Sequence, residues 1–116
     1  MNPVAKEKWL AKLRDPNAEQ TVGKLGDPSG ARCCLGVLCD VAVEEGVIPA
    51  PTRPSGVSGD FLYYGRGMSA GLLPNEVREW AGLEYRDPTV ANRTLSQHND
   101  NGMPFAQIAD LIEEEL

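Results

Sequence analysis

Apolar and polar positions alternate along this chain with a helical period in four places. In residues 3–14, Ala5, Trp9, Leu10 and Leu13 share one face while Lys6, Glu7, Lys8 and Lys12 occupy the rest, which predicts an amphipathic helix. Pro3 suits its first turn and Asp15-Pro16 ends it. The run Arg32–Val43 is the most apolar of the chain. Leu35, Leu38, Cys39 and Ala42 recur at i, i+3, i+4 and i+7, with Cys34, Val37, Val41 and Val43 on the flanks, so a helix here needs cover on several sides. A strand through Ala31 and Arg32 that turns into a helix near Cys33 and stops at Gly46 accounts for the pattern. Pro74 opens a third helix on which Val77, Trp80 and Ala81 share a face, closed by Gly82 with Leu83 folding back. Pro104 opens a last one, with Phe105, Ile108, Ala109, Ile112 and Leu116 facing inward. Glu113, Glu114 and Glu115 crowd its C-terminal end, where the helix dipole disfavours them, so its tip is expected to fray.

Between these helices the pattern is extended or broken. Thr21-Val22 followed by Gly26-Asp27-Pro28-Ser29-Gly30 predicts a hairpin, with a strand over residues 20–25 returning through Ala31 and Arg32. Phe61-Leu62-Tyr63-Tyr64, the turn Gly65-Arg66-Gly67 and the segment Met68–Leu72 predict a second. Residues 47–60 carry Pro49, Pro51 and Pro54 with Gly56 and Gly59, and are expected to form a long loop of the kind that often serves binding. Thr89-Val90 reads as extended, and 94–98 as a helical turn or a strand end. The sum is a small single domain, residues 1–116, of the α+β class: about four helices packed on a minor antiparallel sheet of two hairpins.

Composition narrows the function. Seventeen Asp and Glu against eleven Lys and Arg leave a net charge of −6, a field that repels phosphate backbones and argues against general nucleic-acid binding. No apolar run approaches the roughly 18 residues of a membrane span, and no signal peptide is evident. Three cysteines cannot all pair, and Cys33 and Cys34 are adjacent, which fits free thiols in a reducing cytoplasm.

Four candidate chemistries follow from the side chains. Cys33 or Cys34 at a helix start beside Arg32 is placed to favour a thiolate, and a cysteine hydrolase would recruit His98 as its base, with Asn99 or Asp100 orienting the ring. Buried cysteines more often behave as small apolar residues. A metal site from Cys33, Cys34, Cys39 and His98 lacks the paired spacing of structural zinc, so no metal and no cofactor is expected. Asn99-Asp100-Asn101-Gly102 resembles the start of a calcium loop, but Asp110 falls where the closing glutamate belongs, and a turn before the last helix explains the residues better. A helix-turn-helix echo over Leu95–Ala109 leaves no room for a recognition helix. The fourth candidate is a ligand- or partner-binding surface of Lys24, Arg32, Tyr63, Tyr64 and Arg66 on the two hairpins, since arginine forks anions and tyrosine stacks. Tyr63 and Tyr64 point to opposite faces of a strand, so at least one belongs to the core.

Three blocks carry a family resemblance: Lys8-Trp9-Leu10-Ala11-Lys12-Leu13-Arg14, then Cys33-Cys34-Leu35-Gly36-Val37-Leu38-Cys39-Asp40, then Asn99-Asp100-Asn101-Gly102 with Phe105, Ile108-Ala109-Asp110 and Ile112-Glu113. In order and spacing they resemble a family of small uncharacterised bacteriophage proteins. The resemblance implies a phage-encoded accessory protein in the cytoplasm of the bacterial host and carries no catalytic assignment. That family usually has an apolar residue at the position of His98. The leading expectation is therefore a non-enzymatic protein that binds a host protein or a small nucleotide signal, as counter-defence proteins do. A small cysteine hydrolase using Cys33 or Cys34 with His98 is the alternative. A minor virion or assembly component, for which formation of a homo-oligomer is the discriminating property, is a third.

Overall fold

In a computed structural model, which describes residues 1–56 and 59–116, the chain follows the order α1 (Pro3–Leu13), α2 (Cys34–Glu44), α3 (Asn75–Ala81), β1 (Thr89–Val90), β2 (Arg93–Thr94), α4 (Leu95–Asp100) and α5 (Phe105–Glu115). The architecture is α+β, as the hydrophobic pattern predicts, with five helices among the described residues. Helix α2 is the hub. Cys34, Leu35, Gly36, Val37, Leu38, Cys39, Val41 and Ala42 are all buried, because α1 and α4 pack on it and the loop segments 19–33 and 61–73 complete the enclosure. Trp9 of α1, itself fully buried, donates its indole N–H to the Cys34 carbonyl at 2.9 Å. A buried indole that lacked such an acceptor would be costly, so this bond fixes where α1 crosses α2.

Each helix end has a local cause. Asn2 caps α1, its Oδ1 accepting the Val4 and Ala5 amides at 3.0 and 3.4 Å, while its own backbone N–H donates to the Ala81 carbonyl at 2.7 Å. One residue thus ties the start of α1 to the end of α3. Gly82 ends α3 at φ 70°, the left-handed stop expected from its sequence. Thr94 and Gln97 form a reciprocal capping box on α4. Helix α5 remains helical through Glu115 rather than fraying, and the Glu115 carboxylate accepts the Ala91 amide at 3.0 Å. That contact gives the acidic tip a partner that the dipole argument alone does not supply.

The extended structure departs from the two predicted hairpins. The one regular ladder among the described residues is β1–β2, with Thr89 opposite Thr94 and Val90 opposite Arg93. Its two-residue turn has Ala91 at φ 49° and Asn92 at φ 66°, the primed geometry that matches strand twist. Of the predicted hairpins, single antiparallel bridges remain, Gly26 with Arg32 and Tyr64 with Ser69; Arg32 also pairs with Gln20 in parallel, and Tyr63 with Thr52 of the preceding loop. Glycines and turn residues reverse the chain after two or three residues in each segment, so no ladder lengthens. The bridges are cross-linked instead. Leu25 N–H donates to the Ala70 carbonyl at 2.7 Å and Leu62 N–H to the Gly26 carbonyl at 3.0 Å, which joins both regions into one irregular layer over α2. Residues 47–60 form no helix or strand where described. Ile48 is buried, and Thr52 and Tyr63 exchange two 2.9 Å backbone bonds that anchor the loop to the layer. Val57 and Ser58 of this loop lie outside the described residues.

Candidate functional site

The cysteine block is interior. Cys33 is the N-cap of α2, and its Sγ accepts the Gly36 amide at 3.4 Å; Cys34 Sγ lies 3.5 Å from the Leu95 carbonyl. Burial pushes the Cys33 thiol up to about 11 and the thiols of Cys34 and Cys39 well above their ordinary value, because a thiolate there would be desolvated. The helix dipole that favours a thiolate in the sequence reading is met by other groups. Asn99, fully buried on α4, accepts the Cys34 amide on its Oδ1 at 3.0 Å and so caps α2 from across the core. His98 turns away: its Nε2 lies 2.6 Å from the Val90 carbonyl. Among the described residues no hydrogen bond joins the imidazole to a cysteine, and no three His, Cys, Asp or Glu side chains converge as a metal set.

The hairpin residues divide into two groups. Arg32 and Tyr64 meet inside, on Asp40. Arg32 Nε donates to Asp40 Oδ2 at 2.9 Å, its Nη1 donates to the Asp27 and Ala31 carbonyls, and the Tyr64 hydroxyl donates to Asp40 Oδ1 at 2.8 Å. Tyr64 is fully buried, which makes it the core member of the tyrosine pair, and burial together with the Asp40 charge raises its phenol above the usual range. Asp40, in the sequence merely a charge in an apolar run, is thus the acceptor that ties α2 to both bridged segments. Its spacing from Arg32, eight residues along a strand-to-helix turn, carries no signature that points to this pairing.

Lys24, Tyr63 and Arg66 stay toward solvent. Lys24 Nζ sits 5.4 Å from the centre of the Phe61 ring, a cation–π contact. Arg66 is exposed; its backbone N–H, not its guanidinium, donates to Glu76 Oε2 at 2.8 Å, which holds the Glu76 carboxyl below its ordinary value. Among the described residues neither Lys24 nor Arg66 has a carboxylate partner, whereas Lys8, Lys12 and Arg14 are ion-paired. The same layer exposes large apolar side chains: Val22 is 52%, Met68 44%, Leu72 42% and Phe61 37% accessible. Sequence periodicity does not expose these four, because each lies in a segment too short to show a period. The layer therefore offers apolar contact area beside two cations that form no salt bridge among the described residues, and the cysteine block offers packing.

The chain belongs to a family described as a domain of unknown function (DUF8296), whose model matches residues 1–116. Neither a curated protein nor a solved structure matches it. No helix among the described residues is long and apolar enough to cross a membrane.

Proposed function

We propose that this protein is a non-enzymatic accessory factor that docks on a protein of a bacterial host through the irregular layer over α2, in the phage setting and the cytoplasm that the sequence resemblance implies. The observation that carries the reading is the exposure of Phe61, Met68 and Leu72 beside Lys24 and Arg66 in a chain of net charge −6. Apolar anchors rimmed by cations suit a partner surface that is apolar at its centre and acidic around it. A protein partner is preferred to a nucleotide because Tyr64, one of the two rings that could stack on a base, is buried with its hydroxyl bound to Asp40, which leaves Tyr63 as the single partly exposed ring of the pair. The expected role is host takeover or counter-defence.

The test is a pull-down from host lysate with purified chain. One host protein is expected to be retained by the wild type and by Tyr85→Ala, which changes an exposed side chain outside the layer, and lost with Phe61→Ala or Arg66→Glu. Both layer variants should melt close to the wild type, since exposed substitutions rarely move stability by more than about 0.5 kcal/mol. Equal retention by all four chains would contradict docking at this layer.

A further inference from the structure

We propose that the groove between the β1–β2 turn and the α4–α5 connection binds a small oxyanion, a phosphate monoester or a carboxylate. It is separate from the docking layer and independent of that reading. The groove is open to solvent and offers about 440 Å³, within the range of small-molecule sites. Ala91, Arg93, His98, Asn101, Met103 and Gln107 line it, and no carboxylate does. Arg93 is its one formal charge and forms no ion pair among the described residues. In a chain with six excess acids, an unpaired arginine facing neutral amides is a local reversal of the field.

Two further groups point to an anion. His98 is 7% exposed, and a carbonyl such as that of Val90 can only accept, so Nε2 carries the hydrogen of that 2.6 Å bond. The second ring nitrogen, Nδ1, has no hydrogen-bond partner among the described residues. No buried side-chain nitrogen or oxygen among the described residues lacks a partner, so Nδ1 reaches solvent, through the groove that His98 lines. It is free to donate to an anion as imidazolium, or to accept from a protonated one. Helix α5 begins beside it. Pro104, which provides no side-chain cap, and Gln107 of its first turn line the groove, and among the described residues the Phe105 and Ala106 amides have no acceptor, so the positive end of an eleven-residue helix lies uncapped at the groove's edge. Of the carboxylates nearby, Asp87 accepts from Ser96 and Asp100 from the Gly23 and Asn99 N–H groups, while Glu115 accepts the amide of Ala91 at the groove's edge without its side chain joining the lining.

His98 is the only histidine, so its ring C–H resonances report the groove without assignment ambiguity. The full chain is titrated with inorganic phosphate and, separately, with acetate, chloride keeping the ionic strength constant. The expected result is a saturable shift of the His98 ring signals as the anion is added. Arg93→Gln, at an exposed position, should weaken binding by about tenfold or more, the usual worth of a charged hydrogen bond. Saturation by phosphate alone identifies a phosphate site, by acetate alone a carboxylate site, and by both a general oxyanion site. Shifts that grow linearly and match chloride's, or an Arg93→Gln chain that binds like the wild type, would overturn the proposal.

Discussion

A Gly36→Ala chain is expected to lose at least about 3 kcal/mol of stability, enough to leave a marginal domain partly unfolded. Helix propensity alone predicts the reverse, since alanine in a helix interior is favoured over glycine by about 1 kcal/mol. The sign is decided by space. A Cβ at position 36 would lie 1.8 Å from the Leu25 carbonyl oxygen, with the Leu25 carbonyl carbon at 2.8 Å, and both belong to backbone that cannot swing aside as a side chain would. That carbonyl also accepts the Cys33 amide at 3.1 Å, so moving it breaks the entry to α2. Gly36 is the point at which the irregular layer touches the central helix. Chemical denaturation of the variant measures the loss; a midpoint equal to or above that of the wild type would mean that the layer does not sit on α2.

Asn99→Ala is expected to cost about 3 kcal/mol, from leaving the buried Cys34 amide and the partly buried Thr21 carbonyl without partners, at about 1–3 kcal/mol for a buried group, and from losing further bonds. Asn99 Oδ1 accepts the Cys34 amide at 3.0 Å and the Gln20 amide at 2.9 Å, and its Nδ2 donates to the Thr21 carbonyl at 2.8 Å. One side chain therefore joins α4, the head of α2 and the first bridged segment. An exposed cap gives way to water at roughly 1 kcal/mol; at this position water is excluded. Gln20→Ala, which removes a partly buried bond to the same oxygen and an exposed one to the Met103 carbonyl, should cost about 1 kcal/mol. Equal effects for the two substitutions in thermal unfolding would show that Asn99 is not the hub.

These two residues also mark what the chain discloses before folding. Helices α1, α3 and α5 are legible because each has an apolar stripe, a proline at its head or a glycine at its tail, and all of that information is local. The burial of α2 is equally legible, since an apolar circumference has nowhere else to go. Asn99 reads from sequence only as part of a turn, or as the orienter of a histidine, because its partner on α2 is 65 residues away. The β1–β2 turn is hidden for another reason. Alanine at φ 49° is not a residue the geometry asks for, and its amide is satisfied by Glu115 from the far end of the chain. At the surface, Arg32 and Tyr64 carry the same side-chain types as Arg66 and Tyr63. The Asp40 carboxylate, itself half-buried, is what separates them, since it binds the side chains of Arg32 and Tyr64 and has no counterpart on those of Arg66 and Tyr63 among the described residues.

The account rests on the cysteine-rich helix being the packed centre of the molecule, with recognition confined to what surrounds it. Alkylation by iodoacetamide at neutral pH, followed thiol by thiol by mass spectrometry, tests this most directly. With Cys33 at about 11, thiolate is present at about one part in ten thousand at neutral pH, and burial likewise raises the thiols of Cys34 and Cys39 well above their ordinary value. All three are therefore predicted to react slowly in the native chain, and to become fast together once denaturant opens the fold. One cysteine reacting far faster than the other two in the folded protein, and slowed by His98→Ala, would contradict the account and restore the thiol as the working group.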